Sequence, residues 1–400
     1  MKTRESLDFR FKKKQNTSNN NQNFYRQFSP ELTTILPPLC RRGRFRAVLA
    51  IGIAGAIVWY CGIVERLLAV SYDKFEWPPF VDVKKQVTLL ESHQPAEYVQ
   101  ENNWAQNPAI TKPAPLQLTS CDPKPKNSQF FLRIFVKSAV DHFDLRRAIR
   151  LSWDLSNYSD FAHLSKPVKI RTTFVLGLSR VRDVDAKAHA EAGEYQDMLI
   201  FDLTDSYKNN TRKLFSSLHW LHLDRSCSDF DYILLVDDDY HVSIKNLLRL
   251  LSVAHLQSVK GHSDADAHLY TGYRFDTAPF RMHFHKHYVT LNDYPFSRYP
   301  PYITAGAMLM SHKTVRRIYL ASLFLRYYPY DDIYVAICAL SAGGIEPRHD
   351  KRFIFWPIAF DENRFAQVIA AHGYSDGAEM QRVFHAVDCK PEDSSNWLVC

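Results

Sequence analysis

The stretch Asp231-Tyr-Ile-Leu-Leu-Val-Asp-Asp-Asp-Tyr-His-Val-Ser243 decides how the rest of the chain is read. Tyr232 to Val236 is a short apolar run of strand formers, too short for a helix, which predicts a buried strand of a covered parallel sheet. Asp237, Asp238 and Asp239 follow at the carboxyl end of that strand. In open α/β sheets this end forms the ligand crevice, and hard oxygens clustered there suit a divalent cation that also holds phosphate oxygens. An isolated acidic triplet reads equally well as a solvated turn capping the next helix. The context favours the site. Ser243 starts a helical pattern with Ile244, Leu247, Leu248 and Leu251 at i, i+3, i+4 and i+7, so the turn is held between a buried strand and a packed helix.

Working outward, Phe130 to Val136, Arg171 to Leu176 and Met198 to Phe201 read as further strands. Asp144 to Trp153 reads as a helix carrying Arg146, Arg147 and Arg150, and Leu214, Leu218 and Leu221 mark another helical face. This alternation predicts an α/β fold. With 13 glycines and neither G-x-G-x-x-G nor G-x-x-x-x-G-K-[ST], a dinucleotide site or a P-loop is disfavoured.

Downstream, His283, His285 and His287 alternate, but no acidic or cysteine partner is spaced beside them. A solvated basic edge is therefore preferred over a metal site. Tyr299-Pro-Pro-Tyr302-Ile-Thr-Ala-Gly306 feeds a core strand; a glycine beside tyrosines permits close approach of a ligand, although the stretch alone reads as a Pro-bearing turn. Tyr330-Asp331-Asp332 opens a helix with Ile333, Ile337 and Leu340 on one face. Its acids read either as caps or as a general base. His372, between an apolar run and Gly373, reads as a core histidine or as a metal ligand from a distant segment.

The 400 residues, 46% hydrophobic, support a sizeable core. The net charge of +7 belongs to the tail: Met1 to Arg46 holds 11 Lys or Arg against 3 Asp or Glu, and the remainder is close to neutral. That argues against nucleic-acid binding, which needs its basic patch on the folded part. Ala47 to Val64 carries no charge and would span roughly 27 Å as a helix. Arg41 to Arg46 before it place the N-terminus in the cytosol. The expected organisation is a disordered tail at 1–46, a single-pass signal anchor at 47–64, a Pro-rich lumenal spacer at 65–127 and a head at 128–400, in a thin early secretory membrane. Five cysteines, Cys121, Cys227, Cys338, Cys389 and Cys400, fall on the oxidising side. They allow at most two internal disulfides, and Cys338 is expected to be buried and free. Glycosylation acceptors at Asn157 and Asn209 lie on the same side.

Taken together, Arg147-Ala-Ile-Arg150-Leu-Ser-Trp153, Phe174-Val-Leu-Gly177, Asp202 to Thr211, Val236-Asp-Asp-Asp-Tyr240, Tyr302-Ile-Thr-Ala-Gly306 and Asp331-Asp-Ile-Tyr334 resemble the inverting β-1,3-glycosyltransferases of the galactosyltransferase 31 type. They occur in that family's order over most of residues 128–390, and the acidic and tyrosine-proline motifs look like its brainiac subgroup. The resemblance implies a GT-A nucleotide-sugar transferase fold with a mixed sheet, in a type II Golgi membrane glycoprotein. It implies that Asp239 and His372 bind Mn²⁺, with Asp237 and Asp238 at the metal or the donor ribose. Arg147, Arg150 and Trp153 would lie near the uridine nucleotide, Tyr302 and Gly306 would border the acceptor, and Asp332 or Asp331 would be the base.

The subgroup's activity implies transfer from UDP-N-acetylglucosamine to a glycolipid of mannosyl-glucosyl type; UDP-galactose as donor and a glycoprotein as acceptor stay open, as does a catalytically silent anchored lectin or chaperone. Asp331 stands where the family often has Glu and Ala336 where it often has Gly, which leaves the base open between the two acids.

Overall fold

The computed structural model describes residues 42–78, 80–97, 115–117, 124, 128–154, 156, 167–223, 227, 229–259 and 268–389. The described residues fall into two compact units: one formed by residues up to Leu68 with Arg281–Tyr288, the other by Ala69–Phe280 with the residues from Val289 onward.

In the first unit, helix α1 (Arg42–Tyr60) ends where Gly62 takes a left-handed turn, φ 67°, and α2 (Ile63–Leu68) follows. Gly62 is required there because a Cβ would run into the Arg281 carbonyl. The expected uninterrupted span 47–64 is therefore broken. What remains is roughly 21 Å of uncharged helix, short of the about 30 Å of a hydrocarbon core. Among the described residues no helix is long and apolar enough to cross a membrane. His283, His285 and His287 lie in turns rather than on a strand; His283 pairs with Glu65 at 2.7 Å and stacks on Trp59.

The second unit contains α3 (Val83–Glu91), β1 (Pro115–Gln117), β2 (Phe131–Lys137), α4 (Phe143–Arg150), β3 (Lys169–Leu178), α5 (Arg182–Tyr195), β4 (Met198–Thr204), α6 (Asn210–Leu223), β5 (Tyr232–Asp237), β6 (Tyr240–Val242) and α7 (Ile244–Val259). It continues with β7 (Tyr270–Phe275), β8 (Tyr302–Ser311), α8 (His312–Ser322), α9 (Asp331–Ser341), β9 (Arg348–His349), β10 (Phe353–Ile354), α10 (Glu362–Phe365), β11 (Ala370–His372) and α11 (Gly377–Asp388).

The main sheet has the order β1-β4-β3-β2-β5-β8-β7-β9. Strands β4, β3, β2 and β5 run parallel, and β8 is antiparallel to both β5 and β7, which makes the sheet mixed. A small sheet, β10-β11-β6, closes over the turn after β5. The period of two explains why the strands are apolar throughout. Leu132, Ile134, Val136, Leu234 and Val236 fill one core, while Phe131, Phe135, Ile233 and Leu235 fill the other.

One further expectation changes. Residues 70–91 are not an extended spacer: Trp77, Val83 and Val87 are buried in the second core, and the Trp77 indole donates to the Arg326 carbonyl at 2.7 Å. The rest of the tail and much of the spacer lie outside the described residues, as does Asn157. Cys227 and Cys389 are each disulfide-bonded, and Cys338 is free and buried, as its apolar surroundings predict.

Candidate active site

The site is built where the central parallel strands end. Lys137 and Asp237 are the terminal residues of β2 and β5 and stand in register with each other. The Lys137 ammonium, almost wholly enclosed, lies 3.0 Å from Asp237 Oδ1 and 2.7 Å from Asp331 Oδ2. Burial alone would push a lysine towards neutrality; the two carboxylates reverse this and hold it above its ordinary value. Burial raises the Asp237 carboxyl to about 6, with Asp239 and Asp331 adding to the shift and Lys137 opposing it.

The three acids after β5 have three different environments. Asp237 belongs to Lys137. Asp238 is buried and accepts hydrogen bonds from the Ser138 hydroxyl at 2.6 Å and from His142 Nδ1 at 2.9 Å, which holds His142 above its usual value. Asp239 is more open. Its Oδ2 lies 3.1 Å from His372 Nε2, while its other carboxylate oxygen is buried without a hydrogen-bond partner. The chain distance between Asp239 and His372 is closed by β-pairing, since His372 on β11 is the cross-strand partner of Tyr240. The hydrogen bond to Asp239 raises the His372 pKa.

An orphaned carboxylate oxygen beside an imidazole is a donor pair that suits a divalent cation of mixed oxygen and nitrogen preference. Among the described residues no group of three or more such side chains is gathered to hold a metal. Asp239 and His372 thus fit an ion whose other positions are filled from a ligand.

Asp331 and Asp332 open α9, but the helix has Tyr330 as its N-cap residue and no side-chain cap bond. The capping reading of Asp331 is corrected: its carboxylate is committed to Lys137. Asp332 is half-buried, and its carboxyl is pushed up to about 7 by burial and then by the Asp331 charge; the backbone N–H groups of Ile333 and Ala305 and the Lys137 ammonium pull it back only in part. A carboxyl poised near neutrality in a strand-end crevice has the properties of a general base.

Around it stand Tyr302, whose phenol bonds Thr277 at 3.0 Å and is raised to about 12 by burial and the Asp332 charge, and Tyr207, raised to about 12 by burial with help from Asp332 and Asp331. Gly306 has a local packing reason to be glycine. A Cβ there would strike the Tyr240 ring and hydroxyl, so the glycine makes room for Tyr240.

Arg150 and Trp153 are not brought to the acidic cluster. The Arg150 guanidinium is held by Asp197 at 2.7 and 2.9 Å and by Glu191 at 2.7 Å, between the rings of Phe174 and Tyr195; Trp153 is fully buried in the first core. Arg147 is exposed on α4. Asn209 lies in a 3₁₀ turn with its amide donating to the Thr204 carbonyl at 2.7 Å, and Thr211 of its sequon is buried.

The residues missed in the sequence are Lys137, Ser138, His142 and Lys213. Lys213 is buried and bonds the Ser138 carbonyl at 3.0 Å and Asp205 at 2.8 Å. One signal was available: Lys137 is a charge at the carboxyl end of an apolar strand, as Asp237 is.

The family model described as Galactosyltransferase matches residues 144–351. The chain is 32% identical over 330 residues to "Beta-1,3-galactosyltransferase brn" of Drosophila melanogaster, covering 82% of this chain and 91% of the relative. It is 29% identical over 332 residues to "Beta-1,3-galactosyltransferase bre-5" of Caenorhabditis elegans, covering 83% and 90%. Against "Beta-1,3-galactosyltransferase 1" of Homo sapiens it is 30% identical over 261 residues, 65% of this chain and 74% of the relative.

Proposed function

We propose that this chain, which belongs to the galactosyltransferase family, is an inverting β-1,3-glycosyltransferase that moves N-acetylglucosamine from its UDP donor to the 3-hydroxyl of an acceptor glycan. The observation that carries the reading is Lys137, which ties the acidic turn after β5 to the acids that open α9. A metal-side carboxylate and a base-bearing helix are thereby fixed in one crevice.

In this mechanism Asp239 and His372 would hold a divalent cation such as Mn²⁺, and such an ion would supply neutralisation of negative charge on a diphosphate. Asp238, with Ser138 and His142, fixes the donor ribose side of the turn. Asp332 takes the proton of the acceptor hydroxyl as that oxygen attacks the anomeric carbon from the face opposite UDP. The new glycosidic bond forms as the bond to the diphosphate breaks, with inversion, and Asp332 returns its proton to solvent. Asp331 does not take the proton, because Lys137 engages it. Tyr302 borders the acceptor.

The choice of N-acetylglucosamine, and of a glycolipid of mannosyl-glucosyl type as acceptor, rests on the brainiac-like motifs. A second reading, transfer of galactose, is favoured by the names of the relatives. Work in the Golgi lumen is part of the proposal. It is supported by the disulfide-bonded Cys227 and Cys389, since disulfides persist mainly in oxidising compartments. The test is a donor screen with purified chain, Mn²⁺, a panel of UDP-sugars and release of UDP. Turnover with UDP-N-acetylglucosamine alone supports the first reading, turnover with UDP-galactose alone selects the second, and no turnover with any donor removes both.

A further inference from the structure

Tyr273 and Phe275 lie two residues apart on β7, with their ring centroids 5.1 Å apart. Phe275 is the cross-strand partner of Tyr302, and the two rings are 5.9 Å apart. The segment after β10 brings two more rings to the same place. Phe355 meets Phe275 edge-on at 5.2 Å, and Trp356 meets it at 6.4 Å and 82°. Phe355 also stacks on His372, with ring centroids 6.1 Å apart and planes 12° apart. A continuous aromatic wall therefore runs from His372, on the metal side, to Tyr302, whose phenol feels the Asp332 charge.

Trp356 is the open end of this wall, at 59% exposure. Its neighbours Phe355 and Phe275 both meet it near a right angle, at 73° and 82°, so neither lies parallel on the indole. Single exposed apolar residues are ordinary on protein surfaces. Trp356 differs because the rings behind it connect directly to both halves of the reaction centre, and because a large indole left in water gains little by packing.

We propose that Trp356, backed by Phe275 and Phe355, is the platform on which a pyranose ring of the acceptor stacks, and that it determines acceptor specificity. The proposal rests on the reading of the acidic crevice as a glycosyl-transfer centre. The ligand class is a neutral hexopyranoside. Its axial C–H groups form an apolar face that is buried against the indole, whose π-face is electron-rich. Phe355, Trp356, Phe275 and Tyr302 carry no charge, so the wall selects the shape and face of the sugar.

The experiment uses the full chain with Mn²⁺, the active UDP-sugar, and methyl β-mannopyranoside, methyl β-galactopyranoside and methyl β-glucopyranoside as acceptors. Trp356→Ala is expected to raise KM for the preferred glycoside at least tenfold while leaving UDP affinity and slow hydrolysis of the UDP-sugar unchanged; Trp356→Phe should recover most of the loss. An unchanged acceptor KM in Trp356→Ala overturns the platform and leaves the transferase reading intact. An equal loss of UDP affinity and acceptor affinity also overturns it, because the residue would then only support the fold of the crevice. A parent chain that neither binds UDP nor consumes any UDP-sugar removes the transferase reading, and the platform with it.

Discussion

The Lys137 ammonium stands 2.7 Å from the Asp331 carboxylate and 3.0 Å from that of Asp237, so one buried cation is shared by acids from the end of β5 and the start of α9. Removing one partner of a buried ion pair costs about 3–5 kcal/mol, because the remaining charge is left without compensation. Lys137→Met should therefore lower stability at pH 7 by roughly that amount. It should recover part of the loss as the pH falls and the stranded carboxyls protonate. Urea denaturation at pH 7 and pH 5 checks this; equal midpoints for variant and parent at pH 7 would mean the triad does not hold the strand ends together.

The pH dependence of Asp332 has opposite signs for stability and for activity. Its carboxyl is raised to about 7 by burial and by Asp331, above the ordinary carboxylate value of 3.8. The native state therefore binds the proton more tightly than the unfolded chain. This group's contribution to stability is greatest below the unfolded value and is lost as the pH rises towards 7. The base form accumulates over the same window, so kcat/KM should climb about tenfold per pH unit below 7 and level off above it. Asp332→Asn should remove this limb and lower transfer by roughly 10²–10⁴-fold while UDP and Mn²⁺ still bind. An acidic limb near pH 4 in the parent would take the base role away from Asp332.

Asp331→Asn separates the two acids. Because Asp331 pairs with Lys137 instead of capping α9, its loss should cost more than the about 1 kcal/mol of a cap. Losing the Asp331 charge should also lower the Asp332 pKa, since that charge is one of the causes that raise it. Calorimetric melting of Asp331→Asn and Asp332→Asn gives the comparison, and a larger stability loss in Asp332→Asn would reverse the assignment.

His372→Ala should weaken Mn²⁺ binding at least about tenfold, a loss of roughly 1.4 kcal/mol or more, because it removes one member of the Asp239–His372 pair. Its partly exposed ring contributes less to the core than the enclosed Ala370 and Ala371 beside it on β11. Isothermal titration with Mn²⁺ and UDP is the measurement. Normal Mn²⁺ affinity with a lowered melting temperature would make His372 a packing residue.

What could be read in the sequence followed from short-range regularity. The strand before Asp237 announced itself because both of its faces are covered, and the acids after it because charge at such a strand end has few packing uses. Lys137 went unnoticed, since its partners Asp237 and Asp331 are distant in the chain and come together only through β2–β5 pairing and the docking of α9. The same limit applied to Arg150 and Trp153. Local pattern put them on a helix, but only tertiary contacts show Arg150 bound to Asp197 and Glu191. The break at Gly62 depends on the approach of the Arg281 carbonyl, which no hydropathy window contains.

Gly306 offers a test in which two readings give different patterns. In the structure a Cβ at Gly306 would collide with Tyr240, the residue that follows Asp239 and faces His372 across the small sheet. Gly306→Ala should therefore destabilise the protein by about 1–3 kcal/mol, the usual cost of overpacking. It should also weaken Mn²⁺ binding by moving the turn that carries Asp239. In a Tyr240→Ala background the ring is absent and the added methyl has room. There Gly306→Ala should be neutral or stabilising by up to about 1 kcal/mol, since alanine has fewer unfolded conformations to lose. The double-mutant cycle should thus show a coupling of at least about 1 kcal/mol. If Gly306 instead served to let the acceptor approach, Gly306→Ala would raise the acceptor KM without changing stability, and Tyr240→Ala would not relieve it. Urea melts and acceptor kinetics on the four proteins distinguish the two, and additive stability changes would show that Gly306 is not there for Tyr240.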